Sequence, residues 1–263
     1  MKKGVISSVS LALFLLGGAA AFAQPSVRSV ETIVIDSFDT DGAQNYQVPG
    51  KKADSPGKVY NWTWGTQASR FVAEGYPKQN FFDGIPNSLR PLRKDGDPDA
   101  KVLGVQVAFN RKGDNWFEVF PVGSETDENG NAKALEIPFV GTVSHIDFWV
   151  WGANYRYYLE VMVRDADGRV HVLPAGNLVF QGWRNVVVNI PTYIRQHSRL
   201  RSGPETLAFV GFRIRSDMNE FVDDFQIFFD QLRYTTNTMS NIYDGYDLRQ
   251  IFVEEENDNG GNN

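Results

Sequence analysis

Cysteine is absent from all 263 residues, which removes disulfide frameworks, thiolate metal sites, cysteine nucleophiles and thiol-linked lipid anchors together. Positive charge is also in short supply. Lys and Arg number 26 against 32 Asp and Glu, a net charge of −6, and no basic cluster is present to neutralise phosphates, so nucleic acid is excluded as the main partner. Histidine occurs only at His145, His171 and His197, without metal-ligand spacing. There is no G-x-S-x-G elbow, H-E-x-x-H, Walker loop or G-x-G-x-x-G. Heptads and repeats of 20 to 50 residues are missing too. The one long apolar or glycine run, Leu11–Ala23, falls short of the roughly 20 residues that a membrane span requires. It follows Lys2 and Lys3 and ends in Ala21-Phe22-Ala23, the small-x-small pattern of a cleaved export signal, so residues 1–23 are expected to be removed. No later segment is apolar enough to stop transfer, and the product is expected to be exported without a membrane span.

What the chain has is period-two alternation. Glu31–Phe38, Val102–Asn110, Trp116–Val122, Ala134–Val140, His145–Trp151, Tyr157–Arg164, Arg169–Leu173, Trp183–Ile190, Leu207–Arg215 and Phe225–Tyr234 are rich in β-branched and aromatic residues and bounded by Gly, Pro, Asn or Asp. Asp165-Ala166-Asp167-Gly168 reads as a tight hairpin whose glycine supplies a positive φ. Pro191–Arg201 and Tyr243–Val253 are the two places where a short helix is expected. The pattern predicts an all-β fold, an antiparallel β-sandwich of jelly-roll type like that of carbohydrate-binding modules, with long loops and one or two short helices. Residues 24–253 are expected to form one domain. The Gly-, Pro- and Asp-rich stretch Thr40–Asp99 reads as a loop insertion in it, and Glu254–Asn263 as a disordered acidic tail.

Three groups of residues are candidates for chemistry or contact. Glu118 and Glu160, each beside aromatics, are the acids that a glycoside-cleaving sandwich would need, although both also fit the solvated side of a strand. Asp36-Ser37-Phe38-Asp39-Thr40-Asp41-Gly42 alternates oxygen donors after the first strand. Asp39 and Asp41 could hold a structural Ca²⁺, closed by Asp230 if the first and last strands are neighbours; a plain Asx-rich turn is the competing reading. Trp149 and Trp151 share one strand face, and Trp62 and Trp64 repeat the spacing, so these four rings are either core or a platform for a partner.

The segment His145-Ile146-Asp147-Phe148-Trp149-Val150-Trp151-Gly152-Ala153-Asn154-Tyr155, with Leu159–Gly168, Gly182-Trp183-Arg184-Asn185 and Ile190-Pro191, resembles the spirochaete periplasmic flagellar filament outer-layer (sheath) protein family. Phe209–Ile214, Phe225–Leu232 and Tyr243–Leu248 extend the resemblance over most of the chain. It implies a non-enzymatic structural protein in the periplasm that coats a core flagellin filament together with other sheath subunits and influences filament stiffness, shape and motility. An export signal and the absence of coiled-coil ends fit a coat better than a filament core. The rival expectation is an exported carbohydrate-binding module, in which Trp pairs would stack sugars.

Overall fold

The computed structural model describes residues 30–41, 44–49, 57–95, 99–126, 132–198 and 206–237. The export signal, the segment Tyr243–Val253 and the acidic tail lie outside them. The strands are β1 (Glu31–Asp36), β2 (Gln44–Val48), β3 (Lys58–Ala68), β4 (Lys78–Asp83), β5 (Lys101–Val107), β6 (Trp116–Thr126) and β7 (Ala132–Ala134). They continue as β8 (Ile137–Pro138), β9 (Thr142–Ala153), β10 (Tyr157–Arg164), β11 (Val170–Asn177), β12 (Gln181–Asn189), β13 (Ala208–Ser216) and β14 (Phe225–Asn237). Every pairing is antiparallel.

Two sheets face one another. The first runs β12-β9-β14-β5-β4, with β1 continuing beside β14; the second runs β11-β10-β13-β6-β3-β2, with β7 and β8 at its margin. Alternation sends Ile146, Phe148 and Val150 of β9 and Ile227 and Phe229 of β14 inward from the first sheet. They meet Phe212 and Ile214 of β13, Val161 of β10 and Val119 of β6 from the second. Phe212 is the centre of this aromatic core: it stacks on Phe229 at 4.6 Å and meets Phe148 at 4.8 Å and Trp64 at 6.2 Å. Each such buried side chain contributes roughly 1.5–3 kcal/mol, which is how a cysteine-free chain holds its shape.

Three expectations are corrected by the structure. Thr40–Asp99 is not a loop insertion: it supplies β2, β3 and β4, and β3 lies between β2 and β6 inside the second sheet. Ala134–Val140 is not one strand but two short pieces, β7 and β8. Pro191 opens a single turn closed by Ile194 N–H to its carbonyl at 3.0 Å, and the described residues contain no α-helix; Arg90–Leu92 forms one 3₁₀ turn. The Asp165–Gly168 hairpin forms as expected. Gly168 has φ 89°, and Asp165 Oδ1 accepts from the backbone N–H of Asp167 at 3.0 Å and of Arg169 at 2.8 Å.

Candidate functional site

The outward face of the first sheet carries a row of aromatics. Cross-strand register places Trp183 of β12 opposite Trp151 of β9, Trp151 opposite Phe228 of β14, and Phe228 opposite Gly104 of β5. Phe82 of β4 leans across Gly104. Its ring lies 5.8 Å from that of Phe228, which in turn meets Trp151 edge-on at 5.4 Å. Gly104 is what permits this: a Cβ there would stand 2.7 Å from both phenyl rings. The outcome is an aromatic row crossing five strands, about 19 Å at ordinary strand spacing. Phe82 is 47% exposed and the other three rings are partly exposed.

Mostly polar residues border the row on both sides. Lys78, Gln106 and Gln226 stand in line beside it, with Asp224 accepting from the Gln106 amide at 2.6 Å and from that of Gln226 at 3.3 Å. Together with Asn80, Phe82 and Phe228 they line a groove of about 400 Å³. On the other side come Asn185, Trp149 and Asp230, then Val187, Asp147 and Arg233, where Arg233 Nε bonds Asp147 Oδ2 at 2.9 Å. Trp149 Nε1 and Asp230 Oδ1 are both buried without a hydrogen-bond partner.

Trp62 and Trp64 are corrected as contact residues. Alternation in β3 turns both inward, and they are 1% and 5% exposed. Trp64 stacks on Phe38 at 5.3 Å and donates its Nε1–H to Asp36 Oδ2 at 2.7 Å. The equal spacing of the two Trp pairs sets parity along a strand but not which side faces solvent. Trp149 and Trp151 lie on the outer face, as the platform reading requires. Trp183, Phe228 and Phe82 were missed because they come from three other strands, and only register brings them together.

Two of the three acids of the expected metal site, Asp39 and Asp41, are already engaged by cations. β1 does pair with β14, as Asp230 closing the site required. However, Asp39 binds Arg93 Nη1 at 3.0 Å and exposed Asp41 binds Lys101 Nζ at 2.7 Å. Among the described residues no three acidic or histidine side chains form a group that could hold a metal ion. Asp36, not singled out as a ligand from the sequence, is the acid held in place, accepting from Phe38 N–H at 2.7 Å in an Asx turn as well as from Trp64. Burial, partly offset by those two donors, raises its pKa to about 6. Asp230 sits at a bulge of β14, where Gln231 has φ 52°. Burial first, and then the negative charge of Asp39, push its pKa up to about 8.

Glu118 and Glu160 lie on the outward face of the second sheet, opposite Arg213 of β13 from either side. Glu118 is bonded by Arg213 Nε at 2.7 Å and by Gln67, while Glu160 lies 3.7 Å from Arg215. Two strand spacings put their backbones about 9–10 Å apart, with a guanidinium between them. The histidines hold local bonds: His171 Nε2 to Asp165 Oδ2 at 2.6 Å, His197 to Thr142, and His145 to Ser144.

Residues 47–243 match the model of the flagellar filament outer layer protein Flaa family. The chain belongs to this family. A flagellar filament outer layer-like protein of Brachyspira hyodysenteriae is 28% identical over 162 residues, covering 58% of this chain and 69% of the relative. The flagellar filament outer layer protein of Treponema pallidum is 26% identical over 180 residues, 55% of this chain and 51% of the relative; the chain thus spans about half of that protein's length. Among solved structures, carbohydrate-binding modules of the β-sandwich superfamily superpose with a TM-score of 0.40 at 11% identity, covering 74% of each chain. A family 11 module of a Clostridium thermocellum cellulosomal cellulase gives 0.35 at 10% identity, over 74% of this chain and 95% of the module.

Proposed function

We propose that this protein is an exported subunit of the periplasmic flagellar filament's outer layer. In this reading it sits on the core flagellin filament beside other sheath subunits, without catalysing a reaction, and its coat influences filament stiffness, shape and motility. The aromatic row Trp183-Trp151-Phe228-Phe82 carries the reading. An outward stripe of large rings, kept close by a glycine that no other residue could replace without collision, is a feature that a contact surface needs and a solvated sheet does not. Modest affinity per subunit suffices, because contacts repeat along the filament.

Stripped filaments mixed with purified protein provide the test. Phe82→Ser removes the most exposed ring and Gly104→Val forces Phe82 and Phe228 apart. Each should lower recovery in the filament pellet on the order of tenfold, as for an interface hot spot, while circular dichroism and melting show a folded sandwich. Wild-type recovery of both variants would remove this face from the contact.

A second reading, binding of a glycan, is favoured by one observation: the amides of Asn80, Gln106 and Gln226 stand beside the rings, where they could bond sugar hydroxyls. Retention on polysaccharide beads with elution by free sugar, lost in Phe82→Ser, would support it over a protein contact.

A further inference from the structure

The edges of the two sheets are not equally defended. β2 is only five residues long. β4 has six, begins with Lys78 directly after Pro77 and ends in Asp83. β11 carries Pro174 in its middle and a register break against β10. Short length, proline, charge and bulges are the devices by which sheets refuse further strands. β12 is longer and has no proline and no bulge, and it carries one charge. Its nine residues Gln181–Asn189 pair with β9 from Ala153 to His145 without a register break, and among the described residues it has a strand partner on that side only. Its single charge, Arg184, lies over the Phe180 ring at 4.0 Å, and Val187 is 53% exposed.

We infer that β12 is a self-association edge, and that it pairs antiparallel with β12 of a second copy of this chain about a two-fold axis at Asn185. The strand's own sequence selects that occupant. With Asn185 opposite Asn185 of the second copy, Trp183 faces Val187 and Arg184 faces Val186, so the strand pairs over Trp183–Val187 and ends where Gly182, at φ 90°, leaves the extended conformation. An aromatic ring meets a β-branched side chain twice, the central amides meet each other, and no like charges stand opposed. The interface is isologous, so it closes at a dimer and joins two first sheets into one continuous sheet. The aromatic rows of the two copies then lie on the same side of that sheet. Pairing uses the sheet's edge and the filament contact its face, so either can fail without the other.

The absence of cysteine makes the test clean. Directly opposed residues in an antiparallel pair have Cα atoms about 4.5–5.5 Å apart, within disulfide range. In this register Val187 of one copy lies about four residues from Val187 of the other, about 14 Å along the strand and beyond that range. Purified Asn185→Cys, Val187→Cys and Val170→Cys proteins, the last on β11, would be oxidised and run on non-reducing gels. Asn185→Cys should form a disulfide dimer on the order of tenfold faster than the other two, although Val187 at 53% and Val170 at 43% are both open to solvent. Because Asn185 Nδ2 also bonds the Phe148 carbonyl, the double variant Trp183→Cys with Val187→Cys serves as a second probe; it should cross-link in the same register. Equal rates for Asn185→Cys and Val187→Cys, or no dimer from both Asn185→Cys and the double variant, would overturn the pairing.

Discussion

Asp230→Asn is the sharpest probe of the buried carboxyls' electrostatics. Asp230 is 2% exposed, its Oδ1 has no partner, and its pKa is raised from 3.8 to about 8. A carboxyl whose folded pKa lies above its unfolded value supports the fold only while it keeps its proton. Its contribution is therefore lost as pH rises from about 4 to about 8, by about 1.4 kcal/mol per pH unit while the two states differ in protonation. Asp36, raised to about 6, acts in the same direction, but most of its loss has occurred by pH 6.5. His197, lowered by burial, acts oppositely as pH rises towards 6.5. The window from pH 6.5 to 8 thus isolates Asp230. The wild-type protein should lose roughly 1–2 kcal/mol across it, the slope flattening as Asp230 ionises near pH 8, which at a urea slope of roughly 2–3 kcal/mol/M is a fall in midpoint of about 0.5–0.8 M. An amide has nothing to ionise, so Asp230→Asn should hold its midpoint level across that window while keeping the Asp36 slope at lower pH. Urea titrations at pH 5, 6.5 and 8 measure this. A wild-type midpoint flat between pH 6.5 and 8, or an equal slope in the variant, would refute a protonated, buried Asp230.

Trp64→Phe removes the indole N–H from Asp36 and opens space in the core, so unfolding should become easier by about 2–4 kcal/mol. Because the lost donor favoured the charged form of Asp36, the difference should be larger at pH 8 than at pH 4, by urea denaturation. Millimolar Ca²⁺ or EDTA should leave the melting temperature at pH 7.5 unchanged, because Arg93 and Lys101 already neutralise Asp39 and Asp41; a calcium-dependent rise would restore the metal site.

The sequence by itself determined the fold class, most strand positions, the Asp165–Gly168 hairpin and the family. Each is written locally, in alternation, in turn residues or in segments such as Gly182-Trp183-Arg184-Asn185. β3 was legible in principle, since Tyr60, Trp62 and Trp64 alternate, but the Gly, Pro and Asp around it obscured the signal. Tertiary structure alone decided which tryptophans face out. Period two separates the faces of a strand without saying which one meets another sheet, so Trp62 and Trp64 were buried while Trp149 and Trp151 were left on the outer face. It also decided the candidate site. Phe82, Gly104, Trp151, Trp183 and Phe228 come from five strands spread along the chain, and the glycine's role exists only because register sets two phenyl rings on either side of it. Local pattern fixes conformation through backbone sterics, whereas a surface assembled across strands depends on the order in which they pair, which no single segment encodes.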